Sequence, residues 1–222
     1  MRRLIYLLMS TVVLGAQAPG DTKVFSVAYV NIMPSSKATA VAAFKQYRDT
    51  SRKDEGYVRS EFLEQMGRPG HFAVVETWAS QTAFDAHQMA AHRKQLLSQL
   101  EPIRTSDYDQ RLYKTLTLGT ASAAANDSAI HVLTHVDIGG QGTNAPDLLK
   151  QLADTSRKDE GNLRFDVLQQ IMRLNHFTVV ETWQNQKAYD AHVAAAQTKQ
   201  HRDGLGPKTG SPVDERVYKA IQ

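Results

Sequence analysis

The sequence predicts an α+β protein of two ferredoxin-like βαββαβ domains, packed sheet to sheet as an intramolecular pseudo-dimeric α+β barrel. The first observation is a tandem duplication at an offset of 105 residues, in which Asp49–Gly56 (DTSRKDEG) returns unchanged as Asp154–Gly161. The HF-VVETW pattern of His71–Trp78 returns in the same way as His176–Trp183. From residue 49 to residue 114, 35 of 66 positions equal their counterparts. The second observation is that strand-like and helix-like segments alternate within each copy.

The elements of the first copy follow from its hydrophobic periods. Residues 24–32 are rich in Val and aromatic residues, as strands are, whereas residues 37–53 place apolar side chains at helical spacing. Gly67-Arg-Pro-Gly70 is typical of a turn between strands. The predicted elements are strands at 24–32, 57–66, 71–78 and 109–117 and helices at 37–53 and 80–99, with the first strand of the second copy at 129–138.

A short segment of small and polar residues separates the two copies. Residues 119–128 contain no large apolar side chain that could anchor them in a core, which predicts a linker. The predicted domains are therefore residues 22–118 (copy one) and 129–222 (copy two), preceded by a signal peptide at 1–18.

A single ferredoxin-like sheet leaves one face uncovered, which a domain of about 100 residues tolerates poorly. Two such sheets can cover each other, and the duplication supplies both in one chain. We therefore expect pseudo-two-fold symmetry within the chain. A further homodimer of whole chains is left open.

The N-terminus has the pattern of an export signal. A basic start at Met1–Arg3 precedes an apolar run at residues 4–15 and an Ala-Gln-Ala exit at 16–18. The run is shorter than the roughly 20 residues that span a bilayer, although an uncleaved anchor remains an alternative. The pattern predicts a periplasmic or secreted protein that has no membrane association after cleavage.

Composition excludes several classes of protein. The chain has no cysteine, which excludes thiol catalysis, Cys-ligated zinc and Fe–S clusters. Without residues 1–18, 24 basic residues face 23 acidic ones, so no basic excess indicates nucleic-acid binding. Neither a Gly-rich phosphate loop nor a dinucleotide fingerprint is present.

The motifs of each copy resemble the antibiotic biosynthesis monooxygenase family. The resemblance rests on E-T-W at the end of the third strand, A-(F/Y)-D-A-H on the following helix and D-x-R-x-Y on the last strand. Copy two is the closer match, with GNLRFDVLQQ at 161–170, NHFTVVETW at 175–183 and DERVYK at 214–219.

The resemblance implies oxygenation of a small electron-rich aromatic substrate, such as a quinol or an anthrone, by O2 without flavin, haem or metal. Two alternatives stay open at this point. One is a non-catalytic module that binds a small aromatic molecule on the same fold, and the other is a haem-degrading monooxygenase.

Oxygenation without a cofactor needs a base and an aromatic pocket. Histidine is suited to remove a phenolic proton, and tryptophan offers a stacking surface with one N–H donor. We expect His192 and Trp183 in copy two, and His87 and Trp78 in copy one, to be the catalytic residues. The alternative is that these side chains only fill the core.

Alternation places one carboxylate beside each tryptophan. Glu76 and Glu181 share a strand face with Trp78 and Trp183 and could orient the base or bind substrate. Equally, Arg111 and Arg216 could neutralise them across the sheet.

Four further side chains are predicted to bind substrate or oxygen species. His71 and His176 begin the third strand of each copy, and Asn31 and His135 end the first strands. At the 105-residue offset, Asn31 and His135 differ by one position, so we expect them to point to opposite faces. The two pockets should therefore be unequal, and we expect copy two to be the active one.

The histidine spacing argues against a metal site. His131 and His135 lie about 13 Å apart along a strand, and on one continuous helix His87 and His92 diverge by roughly 140°. The charges of DTSRKDEG are interpreted as a solvated helix end with a structural role.

Overall fold

The computed structural model describes residues 23–120, 126–139 and 144–221. The predicted signal peptide lies outside these residues, as does the middle of the predicted linker. Among the described residues, no helix is both long and apolar enough to cross a membrane.

Each copy contains four strands and three helices of more than one turn. Copy one consists of β1 (Val24–Asn31), α1 (Lys37–Ser51), β2 (Tyr57–Gln65), β3 (His71–Trp78), α2 (Gln81–Met89), α3 (Ala91–Leu100) and β4 (Asp109–Thr117). Copy two consists of β5 (Ile130–Asp137), α4 (Ala145–Ser156), β6 (Asn162–Gln170), β7 (His176–Trp183), α5 (Gln186–Ala194), α6 (Ala196–Leu205) and β8 (Asp214–Ala220).

The eight strands close into one antiparallel barrel in the order β1-β3-β2-β8-β5-β7-β6-β4. Two of the strand pairs join the copies: β2 pairs with β8, with Leu63 opposite Ala220, and β4 pairs with β6, with Tyr113 opposite Gln170. The predicted pseudo-dimeric α+β barrel is thereby confirmed.

Strand alternation divides the core into three layers. The odd-numbered residues of β1, such as Val27 and Tyr29, pack inside the barrel with Tyr113 and Tyr218 from both copies. The opposite face of each sheet packs against the helices of its own copy. Trp78 and Trp183 lie on these helix-facing sides and are fully buried. The neighbours of both tryptophans therefore lie in the space between the sheet and the helices.

The predicted single helix at 80–99 is wrong, because two helices occupy this region. Ala90, with φ −64° and ψ 148°, is extended and separates α2 from α3. Ala195 separates α5 from α6 in the same way. Alanine favours helix, so tertiary packing overrides its local preference: the break allows α3 to pack on α1 and α6 on α4.

The expected opposition of Asn31 and His135 is also wrong. Asn31 pairs with His71 and Asp137 pairs with His176, so the first strands correspond at an offset of 106 residues. Copy two has one residue fewer between the end of its first strand and its DTSRKDEG repeat. Tyr29 is thus the counterpart of His135, and Asn31 and His135 belong to the same face of the barrel.

Candidate functional site

Copy two contains a cavity of about 290 Å³ between its sheet and its helices. Apolar side chains form most of its wall, and a few polar groups converge on it, as is typical of pockets for small organic ligands. The lining residues are Thr134, Val136, Leu149, Leu152, Phe165, Val179, Glu181, His192, Thr198, Arg202, Leu205, Val213 and Glu215. This cavity is called the copy-two pocket below.

His192 is the basic group of the copy-two pocket. Its ring stacks on Trp183 with centroids 4.5 Å apart, and its Nδ1 lies 2.8 Å from Asp159 Oδ2. Because a carboxylate accepts, the proton of the neutral ring is held on Nδ1, which leaves the lone pair on Nε2. Burial lowers the pKa of His192, against the opposing effect of Asp159. At neutral pH the ring can therefore accept a proton at Nε2.

Glu181 is the acidic group of the same pocket. Its side chain is buried, and its Oε2 accepts a hydrogen bond of 2.8 Å from Trp183 Nε1. Burial raises the pKa of Glu181 to about 8, although the bond from Trp183 opposes this shift. The carboxyl group is thus protonated at neutral pH. Its Oε2 lies 4.0 Å from His192 Nε2, so the acid and the base face the same space.

A hydroxyl group and a rim of charge complete the wall. Thr134 is 7% exposed, and its Oγ1 has no hydrogen-bond partner among the described residues. Tyr189 and Arg202 both donate to Glu215, at 2.5 and 2.7 Å. A buried hydroxyl without a partner is costly unless a ligand or water satisfies it, which marks this wall as a binding surface.

Copy one has the same four polar and aromatic residues but lacks the space. Trp78, Glu76, His87 and Asp54 correspond to Trp183, Glu181, His192 and Asp159, and His87 stacks on Trp78 with centroids 4.2 Å apart. A cavity of about 10 Å³ in copy one lies between α1 and α3, beside Tyr47 and His92, and none of these four residues lines it.

Larger side chains fill the space in copy one. Tyr47 replaces Leu152, and its Oη lies 3.0 Å from Glu76 Oε1 and 2.5 Å from His87 Nε2. Arg93, which replaces Thr198, is buried and lies over the ring of Tyr108 at 4.6 Å. The two pockets are therefore unequal, with the open one in copy two.

Asp54 and Asp159 are the site residues that the sequence interpretation missed. Both belong to the DTSRKDEG repeat, whose charges were interpreted as structural, and both are partners of a buried histidine. The glycine two positions after each aspartate is the sequence feature that indicates this contact. In copy one, Gly56 has φ 74°, and a Cβ there would collide with the Cβ of Ala83 on α2. This close approach places the end of α1 against the helix that carries His87.

The glutamates do not pair with the arginines across the sheet. Arg111 bonds to Asp109 and Arg216 bonds to Asp214, with Nη2 to Oδ2 distances of 2.5 Å in both pairs. The proposed neutralisation of Glu76 and Glu181 by these arginines is therefore wrong. That the two glutamates orient the base or bind substrate stays a prediction.

The other four predicted binding residues lie away from the copy-two pocket. Asn31 and His71 pair at the far end of their strands from Trp78. His135 and His176 line a second cavity of about 500 Å³. In that cavity His135 Nε2 lies 2.5 Å from Tyr29 Oη, and burial lowers the pKa of His135 to about 4. Their role in substrate binding stays a prediction, but it would concern a different site.

The expected divergence of His87 and His92 is wrong, because the break at Ala90 turns the second histidine back. His87 Nδ1 and His92 Nε2 lie 2.7 and 3.0 Å from Asp54 Oδ2. In copy two Gln197 stands in place of His92, and its Nε2 donates to Asp159 Oδ1 at 3.1 Å.

Comparison with known proteins gives one family and one fold. The family model described as antibiotic biosynthesis monooxygenase matches residues 24–98 and 139–204, which is more than half of the chain. No curated protein sequence matches the chain significantly.

Three solved structures share the whole architecture. A candidate monooxygenase from Fusobacterium nucleatum superposes with a TM-score of 0.81 at 14% identity, covering 90% of this chain and 93% of that one. One from Lactobacillus acidophilus gives 0.75 at 17% identity, with 90% and 95% coverage. A protein described as anthrone oxidase-like gives 0.71 at 14% identity, with 91% and 92% coverage. At these identities the similarity establishes the fold.

Proposed function

Because this chain belongs to the antibiotic biosynthesis monooxygenase family, we propose that it oxidises a phenolic aromatic substrate with O2 in the copy-two pocket. The observation that carries the proposal is the pairing of a neutral buried base, His192, with a neutral buried acid, Glu181, on the wall of an open, mostly apolar cavity. The substrate class is a quinol or an anthrone in its enol form.

The shape and chemistry of the pocket support a flat substrate. Its volume of about 290 Å³ is near the lower end of the range for small-molecule sites, which favours two or three fused rings. Phe165, Leu149 and Leu152 would contact the ring faces and edges. Thr134 Oγ1 would gain the hydrogen-bond partner that it lacks within the protein.

The first chemical step is removal of the phenolic proton by His192 Nε2. Asp159 holds Nδ1–H, so that it orients the ring and stabilises the imidazolium that forms. The resulting anion is electron-rich enough to pass one electron to O2, and the substrate radical and superoxide then combine to form a C–O bond. The substrate itself is the reductant, so the proposed reaction requires no flavin or haem.

The second step converts the peroxide to product. A proton from Glu181 or from the imidazolium of His192 converts the bound peroxide anion to a hydroperoxide. A base then removes the remaining hydrogen from the oxygenated carbon as the O–O bond breaks, and the departing hydroxide takes up a proton. For an anthrone, the CH2 group becomes a carbonyl, and one O2 yields one product oxygen and one water.

The proposal also includes export. The basic, apolar and small-residue pattern of residues 1–18 supports cleavage and release to the periplasm or the medium. A quinol or polycyclic phenol outside the cytoplasm is therefore the proposed substrate.

Oxygen consumption by the purified protein tests this function. A panel of naphthoquinols and an anthrone would be supplied in air-saturated buffer, with autoxidation subtracted. We expect uptake above background that is lost in His192→Ala and reduced in Trp183→Phe, while the copy-one counterpart Trp78→Phe keeps it. Saturable binding of the same compounds without O2 uptake would contradict the oxygenase and indicate a binding module on this fold.

A further inference from the structure

We propose that copy one holds a divalent transition-metal ion of the zinc type between Asp54, His87 and His92. This site is separate from the copy-two pocket and does not depend on the function proposed for that pocket. It contradicts the sequence prediction that no metal is bound.

The three side chains bring their ligand atoms together. One oxygen of Asp54 and one nitrogen from each of His87 and His92 lie within 4.8 Å of one another. Asp54 Oδ2 is 2.7 Å from His87 Nδ1 and 3.0 Å from His92 Nε2. Tetrahedral ligand atoms around an ion with bonds of about 2.0–2.2 Å are about 3.3–3.6 Å apart, so Asp54 Oδ2 would have to move away from both nitrogens by less than about 1 Å.

A second observation points to a ligand at the same place. His92 Nε2 is buried from solvent and makes no well-directed hydrogen bond to any described residue, although it faces Asp54. A buried ring nitrogen that faces a carboxylate without a directed bond is costly. An ion between the two groups would satisfy both.

The donor set determines the class of ion. Two imidazole nitrogens and one carboxylate suit Zn²⁺, Co²⁺, Ni²⁺ or Fe²⁺ rather than Ca²⁺ or Mg²⁺, which prefer oxygen ligands. Asp54 and His92 are each partly exposed, so an ion can enter from solvent and keep water in a remaining position.

The surroundings of His87 fit a metal ligand. Its Nε2 lies 2.5 Å from Tyr47 Oη, which donates to Glu76 Oε1 at 3.0 Å. A metal-bound imidazole usually donates its other N–H to such an outer partner, which fixes the ring and its tautomer. Tyr47 can take this role in copy one, whereas Leu152 at the same position in copy two cannot.

Copy two supplies the natural control, because its structure differs from this site at one ligand. Asp159 and His192 keep the positions of Asp54 and His87, but Gln197 replaces His92 and donates its amide N–H to Asp159. The lone pair of an amide nitrogen is delocalised into the carbonyl group and does not bind a metal, and the amide oxygen suits zinc-type ions less well than imidazole does. The chain should therefore bind one ion, and it should bind it in copy one.

The test is a titration of the tag-free, chelator-treated full chain with Zn²⁺ by calorimetry and with Co²⁺ by visible absorption. We expect one ion per chain and a Co²⁺ spectrum that reports nitrogen ligands. His92→Gln, which copies the arrangement of copy two, should weaken binding by more than the 10–100-fold typical of losing an outer partner. Circular dichroism would verify that this variant is folded.

A second variant, which adds a metal site instead of removing one, tests the proposal even if His92→Gln is unstable. Gln197→His would give copy two the same three ligand types, and we expect a second ion per chain. Absence of stoichiometric binding by the unaltered chain would overturn the proposal. Binding that is unchanged in His92→Gln would overturn it too, since the ion would then lie elsewhere.

Discussion

The two copies bring the same buried tryptophan, glutamate and histidine together with a partly exposed aspartate, yet among the described residues copy two alone has an open pocket beside them. Copy one fills that space with Tyr47, whose hydroxyl contacts both Glu76 and His87. In copy two Leu152 stands there, and a cavity of about 290 Å³ opens next to Glu181 and His192. The shared set of residues is therefore not sufficient for a site, because access to it depends on side chains of the surrounding helices.

The shared histidine and aspartate can also serve a different purpose in each copy. With its cavity closed, copy one can use its histidine and aspartate on their outer side, where His92 joins them. Copy two keeps its histidine free on the inner side, where the cavity lies.

Removal of the proposed base should have the largest effect. His192→Ala is expected to lower the oxidation rate by about 100- to 10,000-fold, because the phenolic proton then loses the base that the proposal assigns to it. The measurement is O2 uptake at saturating substrate. As a control from copy one, Glu76→Gln should keep the rate, and an equal loss in both variants would contradict the assignment to copy two.

Loss of the charge behind the base should have the next largest effect. Asp159→Asn keeps the size of the side chain but no longer stabilises the imidazolium, and the rate is expected to fall by roughly 100-fold or more. Its exposed neighbour offers the control, since Glu160→Gln changes the same charge without touching His192. Single-turnover measurements would separate the rate of the chemical step from that of product release. Equal rates in Asp159→Asn and Glu160→Gln would contradict a role for Asp159 in stabilising the imidazolium.

Filling the copy-two pocket should convert it to the state of copy one. Leu152→Tyr places an aromatic ring where the substrate would lie and is expected to weaken its binding at least tenfold, or about 1.4 kcal/mol. Leu152→Met keeps the volume nearly constant and should bind normally. Substrate affinity measured under nitrogen tests the pair, and unchanged affinity in Leu152→Tyr would show that the substrate binds elsewhere.

The pH profile should show opposite limbs from the two groups. His192 accepts a proton only when neutral, so kcat/KM should rise with pH through its lowered pKa, below the ordinary 6.5. Glu181 donates only while protonated, so kcat/KM should fall as pH passes about 8. In Glu181→Gln the falling limb should disappear, because the amide keeps a donor that does not ionise. Its persistence would assign that limb to another group.

The smallest difference should appear in stability. Trp183 donates to Glu181, whereas Trp78 Nε1 has no hydrogen-bond partner among the described residues. Both Phe variants lose packing, but only Trp183→Phe also breaks a buried hydrogen bond, which adds about 1 kcal/mol. Urea denaturation of the two variants measures the difference, and equal losses would mean that the bond to Glu181 adds nothing.

Much of the fold could be predicted from the sequence because the repeat is long and its periods are clear. The first three strands and the first helix of copy one lie within two residues of their predicted ends. The break at Ala90 could not be anticipated, since neither Gly nor Pro marks it and it exists to pack α3 on α1. The offset of 106 in the first strands was hidden because one residue is missing between the first strand and the DTSRKDEG repeat, where the two copies share no motif.

The candidate site was predicted in part. Trp183, Glu181 and His192 follow from strand alternation and from the alanine-rich face of one helix. Asp159 was missed because its contact with His192 spans 33 positions and depends on a close approach at a glycine. The difference between open and closed pockets depends on Leu152 and Tyr47, and both residues fit the same buried helix position, so periodicity does not distinguish them.

The chain has two tryptophans, one in each copy, so tryptophan fluorescence can report which pocket admits a ligand. Trp78→Phe leaves Trp183 as the only reporter, and Trp183→Phe leaves Trp78. A naphthoquinone, which quenches tryptophan on contact, would be titrated into each variant under nitrogen. We predict saturable quenching of Trp183 and only weak, linear quenching of Trp78. Saturable quenching of Trp78 over the same concentration range would show that copy one also admits an aromatic ligand, contrary to the proposed difference between the two pockets.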